Sequence, residues 1–371
     1  MSEPARGTPP GPVPSPVSRS VDPSPVALSG NCLRGRQSAA SPVRIAGEPA
    51  GRRLQQTPEQ PPAELPPLGP SFILRATRLV LRCLGALPLT VAQDVGRAIG
   101  LVADLLPLGI ARTTDRNLRI CFPALDRPQR RALARRSLAE TGALAAELGL
   151  VWLAGPPRAL THLRRADGVE LLDRATRRGR GVLLLVPHLG NWELLNLWLA
   201  ARGPFTALFA PARDPSLGEW IRHCRERSGA RLVPTDAAGL RILLRALRSG
   251  ETVAILPDQV PLRAGGVYAP FFGADALTMT LVGRLLRSSG ATPLMGCALR
   301  IPGGFSLHFS DPEAGLADPD PTVAARALNA SIEPLVRAAP AQYQWDYKRF
   351  KHPPPGREDP YRGARRQRPR Q

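Results

Sequence analysis

Apolar and polar positions along this chain change rhythm repeatedly, and each change marks an element. Val182 to Val186 is a short unbroken apolar run held between Gly181 and Pro187, the pattern of a buried strand. A polar turn follows, Pro187-His188-Leu189-Gly190-Asn191-Trp192-Glu193, and helical periodicity begins at Leu194. Further on, strands are predicted over 205–210, 231–234 and 252–257, separated by helices over 216–228 and 238–249. A helix over 278–289, two strands over 292–300 and 305–310 joined by Ile301-Pro302-Gly303-Gly304, and a helix over 322–338 complete the series. Strands alternating with helices in this way predict an α/β fold, a mostly parallel sheet flanked by helices.

Upstream of the sheet the pattern is purely helical. Over 71–89, Arg75, Arg78 and Arg82 recur at helical spacing, while Phe72, Ile73, Leu74, Leu79, Val80, Leu81 and Leu84 cover the remaining surface. This predicts an amphipathic N-terminal helix with a narrow cationic stripe, broken near Pro88. Two readings stay open for it: a core-packing helix, or one lying in a membrane interface with its arginines among phosphates. No uncharged apolar run approaches the ~18 residues of a spanning helix. Residues 115–121 read as helical, Phe122-Pro123 stops them, and Asp126 with Pro128 opens the next helix.

Composition divides the chain. Residues 1–70 hold 16 prolines and no Phe, Trp or Tyr, too little apolar surface to offset the entropy of ordering, so this segment is expected to be disordered. It lacks the apolar core of a signal peptide. One folded domain is expected over 71–355, followed by a flexible basic tail over 356–371. The formal net charge is +20, and only two of the 50 basic residues are lysines, Lys348 and Lys351. An arginine skew of this kind accompanies GC-rich coding, and an excess of cation also favours anionic partners: nucleic acid, acidic headgroups or an acidic carrier protein. The basic stretch at 127–136 has no interleaved aromatic residues for base stacking, which argues against nucleic acid. The five cysteines are scattered with no CxxC or Cys/His spacing, so neither a disulfide framework nor a metal site is suggested.

The chemistry available centres on the polar turn. A histidine becomes a useful base when a carboxylate fixes its tautomer and stabilises the imidazolium. A bend through Gly190 would bring Glu193, in the first helical turn, toward His188. The plainer reading makes His188 a helix cap and Glu193 a favourable charge at the helix N-terminus. No GxSxG elbow, GxxxxGK loop, GxGxxG turn or HExxH pair is present, which disfavours a serine acyl-enzyme, nucleotide-driven chemistry and zinc hydrolysis. Direct attack by a substrate hydroxyl remains.

The strand followed by PHLGNWE resembles the HxxxxE/D motif of membrane-associated glycerolipid acyltransferases, and more specifically that of the bacterial lipid A late acyltransferases. Four further blocks match in order: RNLRICFP (116–123), IRHCRERSGARLVP (221–234), LPDQ (256–259) with GGVYAPFFGADALTMT (265–280), and QYQWDYKRFKHPP (342–354). The resemblance covers roughly 70–355. It implies a glycerolipid-acyltransferase-like fold and transfer of a fatty acyl chain to a hydroxyl of a lipid A precursor, with His188 as general base, Glu193 orienting it, and no covalent intermediate. It implies no cofactor; acyl-acyl carrier protein or acyl-CoA serves as co-substrate. Arg225 matches the family arginine and would steady the site or a phosphate, or else be a solvated helix arginine. Asp258 and Gln259 match the Asp-Gln block, or form a structural turn. Phe271 and Phe272 would shape an acyl or lipid groove. For Trp345, Lys348 and Arg349 the choice is between packing and headgroup contact.

The implied partners are acyl carrier protein, anionic membrane lipid and a glycolipid acceptor, with no nucleic acid; the implied location is the cytoplasmic face of the inner membrane. Phosphatidylinositol mannoside acyltransferases share the motif, so another glycolipid or a lysophospholipid is the competing acceptor. From other classes, a nucleic-acid-binding protein or a non-catalytic membrane scaffold competes.

Overall fold

The computed structural model describes residues 72–106, 109–210, 212 and 214–362. Four helices come first: α1 (Phe72–Ala86), α2 (Leu89–Leu105), α3 (Gly109–Cys121) and α4 (Arg127–Leu148), the last running on into a wider π-helical turn, Gly149–Ala154. Asp126 opens α4 through a capping box with Gln129, each side chain bonding the other's backbone N–H, and Pro128 sits in the first turn where its missing N–H costs nothing. α2 lies directly on α4. A Cβ on Gly96 would fall 2.4 Å from the Gly142 carbonyl oxygen, so only glycine permits this approach. With that face committed, Val91, Val95, Ile99 and Val102 form an exposed apolar stripe on the other.

Arg127–Ala154 is the one helix among the described residues long and apolar enough to cross a membrane, but half of its most apolar window is buried inside the protein, as in a core helix. Neither α1, at 15 residues, nor α2, at 17 residues with Asp94, Arg97 and Asp104 along it, meets that test.

The remaining elements are α5 (Pro156–Leu160), β1 (Leu163–Asp167), α6 (Val169–Arg177), β2 (Val182–Leu185), α7 (Trp192–Ala200), β3 (Phe205–Phe209), α8 (Pro215–Glu226), β4 (Ala230–Pro234), α9 (Ala237–Arg248), β5 (Thr252–Ile255), β6 (Gly266–Phe271), β7 (Ala274–Met279), α10 (Leu281–Ser289), β8 (Thr292–Ile301), β9 (Gly304–Ser310) and α11 (Pro321–Ala338). Seven strands form one sheet in the order β1-β9-β8-β2-β5-β3-β4, and β6 with β7 forms a separate antiparallel hairpin. Every pairing in the main sheet is parallel except the β8–β9 hairpin. The α/β expectation holds.

β2 is the middle strand and all four of its residues are buried, because helices cover both faces. Truncating a side chain such as Leu183 to Ala would cost about 2–5 kcal/mol. Parallel strands place their C-terminal ends on one edge of the sheet, where α/β proteins bind ligands. His188 lies just beyond that end of β2.

Three elements differ from expectation. The helix expected from residue 278 starts at Leu281, and the residues before it form β7. Edge strand β1, Leu-Arg-Arg-Ala-Asp, has no apolar alternation because three of its five residues face solvent. Part of the expected tail is docked: the Tyr361 hydroxyl accepts from the Phe350 N–H at 3.0 Å and donates to Asn117. The expected disorder of 1–70 and the end of the tail lie outside the described residues.

Candidate active site

Register builds the site. β2 and β5 are neighbours in parallel register, with Leu185 beside Ile255. Each strand leaves through an apolar residue and a proline, Val186-Pro187 and Leu256-Pro257, and the next residue is then His188 on one strand and Asp258 on the other. The two side chains therefore emerge side by side. Asp258 clamps the histidine twice: Oδ2 accepts from the His188 backbone N–H at 2.8 Å, and Oδ1 lies 2.7 Å from Nδ1. Burial raises the Asp258 carboxyl pKa, but the charge and hydrogen bonds of His188 more than offset this and hold it below the ordinary carboxylate range. An ionised Asp258 accepts the Nδ1 proton and leaves the Nε2 lone pair toward the open side. Gln259 Nε2 sits 3.1 Å from that Nε2, and Trp192 packs edge-on against the ring at 5.0 Å between centroids. The His188 side chain is 14% exposed against 2% for Asp258, so the imidazole meets solvent and its carboxylate partner does not.

Glu193 stands elsewhere. Its buried carboxylate accepts from Arg225 Nε at 2.9 Å and Trp152 Nε1 at 3.1 Å, and from a second Arg225 nitrogen. The Arg225 guanidinium lies over the rings of Trp152 and Phe209, at 5.8 and 5.5 Å. The carboxylate on His188 Nδ1 is thus that of Asp258, where the sequence reading placed Glu193. The reason is directional: Glu193 sits in the first turn of α7 and points toward α8 and the π-helical turn. Arg225 is neither a solvated helix arginine nor free for a ligand on the face it gives to Glu193.

The turn between them is held from several sides. Gly190 has φ +65°, and a Cβ there would lie 2.0 Å from the Ala298 carbonyl oxygen. Asn191 caps α7 by accepting from the Leu194 N–H at 2.9 Å, and its amide donates to Glu147 at 2.8 Å. Fully buried Glu147 also accepts from Gln93 and from Arg300 Nε, each at 2.7 Å. Sequence reading missed this group; its only signal was a lone acid and a lone arginine, each in an otherwise apolar run. Glu147→Ala would leave buried Arg300 only the more distant carboxylate of Glu140, at 3.5 Å, and is expected to destabilise the fold by about 3 kcal/mol. Chemical denaturation checks this; an unchanged midpoint would contradict it.

The closing block straps this turn down. Gly190 N–H donates to the Gln342 carbonyl and Gln344 N–H to the His188 carbonyl, both at 3.0 Å, while the Asn117 amide holds the Trp345 and Tyr347 carbonyls at 2.6 and 2.7 Å. Tyr347 OH accepts from Val260 N–H at 3.0 Å, just past Gln259. Asp346 lies in this strap, and the His188 charge bears on its carboxyl, which burial pushes up. It was not singled out from sequence, being one acid in a basic aromatic block.

Three expected binding residues, Phe271, Phe272 and Arg349, are placed differently. Phe271 is fully buried, and Phe272 packs on Phe122 with centroids 5.1 Å apart and under the Arg337 guanidinium at 4.5 Å, so neither lines an open groove. Phe272 has φ +50°, a conformation glycine normally supplies, at the tip of the β6–β7 hairpin; its N–H donates to Glu333 at 2.7 Å. Arg349 is buried and bonds the Leu277 carbonyl at 2.7 Å and Thr278 Oγ1 at 3.0 Å. It braces the hairpin and does not reach a headgroup. Lys348 is exposed, with Nζ 5.7 Å from the Tyr361 ring centre.

By the family and the relatives that its sequence matches, this chain is an O-acyltransferase. It is a member of the bacterial lipid A biosynthesis acyltransferase family, whose sequence model matches residues 71–352. Among curated proteins, it is 28% identical to the lipid A biosynthesis lauroyltransferase of Escherichia coli (strain K12), over 75% of this chain and 90% of that protein. It is 30% identical to the palmitoleoyltransferase of the same organism, over 74% and 90%. Identity to the myristoyltransferase of that organism is 26%, over 66% of this chain and 76% of that protein.

Proposed function

We propose that this enzyme transfers a fatty acyl chain from an acyl-carrier thioester to a hydroxyl of a lipid A precursor, with His188 as general base and Asp258 as its orienter. The observation that carries the mechanism is the Asp258 clamp on Nδ1, which leaves Nε2 as the basic atom. The acceptor hydroxyl takes the place of Gln259 at Nε2 and gives up its proton there as its oxygen attacks the thioester carbonyl. The carbon–sulfur bond then breaks, and the imidazolium returns the proton to the leaving sulfur. No acyl-enzyme forms. The N–H groups of Trp192 and Glu193, in the first turn of α7, are the donors suited to the oxyanion. Glu193 acts through Arg225, fixing α7 against α8. The acyl donor is acyl-acyl carrier protein, with acyl-CoA the competing donor. Purified enzyme given each donor and a lipid A precursor tests this; acylation of a different acceptor in preference would contradict the substrate assignment.

The enzyme works on the cytoplasmic face of the inner membrane. Support comes from apolar side chains left in solvent on α1 and α2, among them Phe72 at 84% and Leu105 at 76% exposure, with the α2 stripe between. Buried in an interface, each such side chain contributes on the order of 1–2 kcal/mol. The double variant Ile99→Glu/Val102→Glu is expected to move the protein from the membrane to the soluble fraction. Retention in membranes after a salt wash would contradict that assignment.

A further inference from the structure

Arg78 is a charged group held by an aromatic ring. It lies on α1, its guanidinium carbon 5.4 Å from the centre of the Trp220 ring on α8, and its Nε is buried with no hydrogen-bond acceptor. Among the described residues no carboxylate lies within ion-pair distance of it. Trp220 in turn meets Trp152 edge-on at 5.8 Å, and Trp152 carries Arg225. Burial pushes the Cys224 thiol up, and the charges of Arg227, Arg78 and Arg225 bear on it in the opposite direction. Glu193 already neutralises Arg225, whereas Arg78 has no ion pair among the described residues, and a bound anion would supply its counter-charge. A guanidinium fork stacked on an aromatic ring is preset for the oxygens of a phosphate.

The neighbouring side chains indicate where the phosphate comes from. Phe72, Ile73, Leu79 and Val80 of the same helix are exposed. With those residues among acyl chains, Arg78 sits at headgroup depth. We propose that Arg78, stacked on Trp220, forms a site for the phosphate of an anionic membrane lipid at the seam of α1 and α8. The site rests on the reading of α1 and α2 as the membrane face. Occupied, it ties α1 to α8 and so to the Glu193–Arg225 pair behind the active site.

The test is sedimentation of the full chain with phosphatidylcholine vesicles, with and without phosphatidylglycerol, while tryptophan fluorescence reports on Trp220 and Trp152. A further arm adds inorganic phosphate alone. Wild type is expected to prefer phosphatidylglycerol vesicles. Arg78→Lys, which keeps charge and loses the fork, and Arg78→Gln should each lose about fivefold or more of that affinity. Arg75→Lys, on the same helix, should change it by less than about twofold, as for a screened surface charge. Arg78→Lys binding like wild type, or Arg75→Lys losing as much, would overturn the site. Wild type that sediments equally with both vesicles overturns the site and leaves the membrane face standing; wild type that sediments with neither overturns both. A fluorescence change with inorganic phosphate but no vesicle preference assigns the seam to soluble phosphate and overturns the lipid.

Discussion

His188→Ala is expected to lower acyl transfer by about 100- to 10,000-fold, the usual contribution of a positioned general base. The folded state should survive, because the ring is partly exposed and the backbone bonds of the turn, from His188 N–H to Asp258 and from Gln344 to the His188 carbonyl, remain possible. Steady-state transfer from acyl-acyl carrier protein, with a denaturation curve on the same sample, separates lost chemistry from lost structure. Activity within threefold of wild type would remove His188 from the mechanism.

Asp258→Asn is expected to cost transfer about as much, on the order of 100- to 10,000-fold, through the tautomer. An asparagine amide that donates to Nδ1 moves the imidazole proton to Nε2, where no base is left. The stability signature follows from the depressed carboxyl. The contribution of Asp258 is complete above the unfolded carboxylate value near 4 and is lost as pH falls through its lower folded value. The variant should therefore lack that part of the acid-side loss of stability. Glu193→Gln should instead lower the denaturation midpoint by weakening the bond to Arg225. If Glu193→Gln alone reproduced the tautomer defect with an unchanged midpoint, Glu193 and not Asp258 would be the orienter.

The central strand and its turn were legible because β2 is buried on both faces and needs an unbroken apolar run. β1 was not, since an edge strand with three solvent-facing residues has no pattern to read. The β6–β7 hairpin was half hidden by its tip, where only Gly273 announces the turn and Phe272 occupies the other positive-φ position, one that Asn or Gly normally fills. His188 could be found from its place after a strand. Its carboxylate could not be found from spacing, which says nothing about which way Glu193 points. The signal was present all the same: VPH and LPDQ both follow strands, and pairing those strands in register sets His188 beside Asp258. Arg349 and Phe271 read as binding groups because a charge and an aromatic in a shared block look functional until their burial is known.

His188, aligned by Asp258, is proposed to catalyse acylation of a lipid A precursor. Mass spectrometry of lipid A from a deletion strain, complemented with wild type or with His188→Ala, tests it most directly. Lipid A in the deletion strain is expected to be lighter by one acyl chain, restored by wild type and left light by His188→Ala. Lipid A of unchanged mass in the deletion strain, with the missing chain found on another lipid, would contradict it.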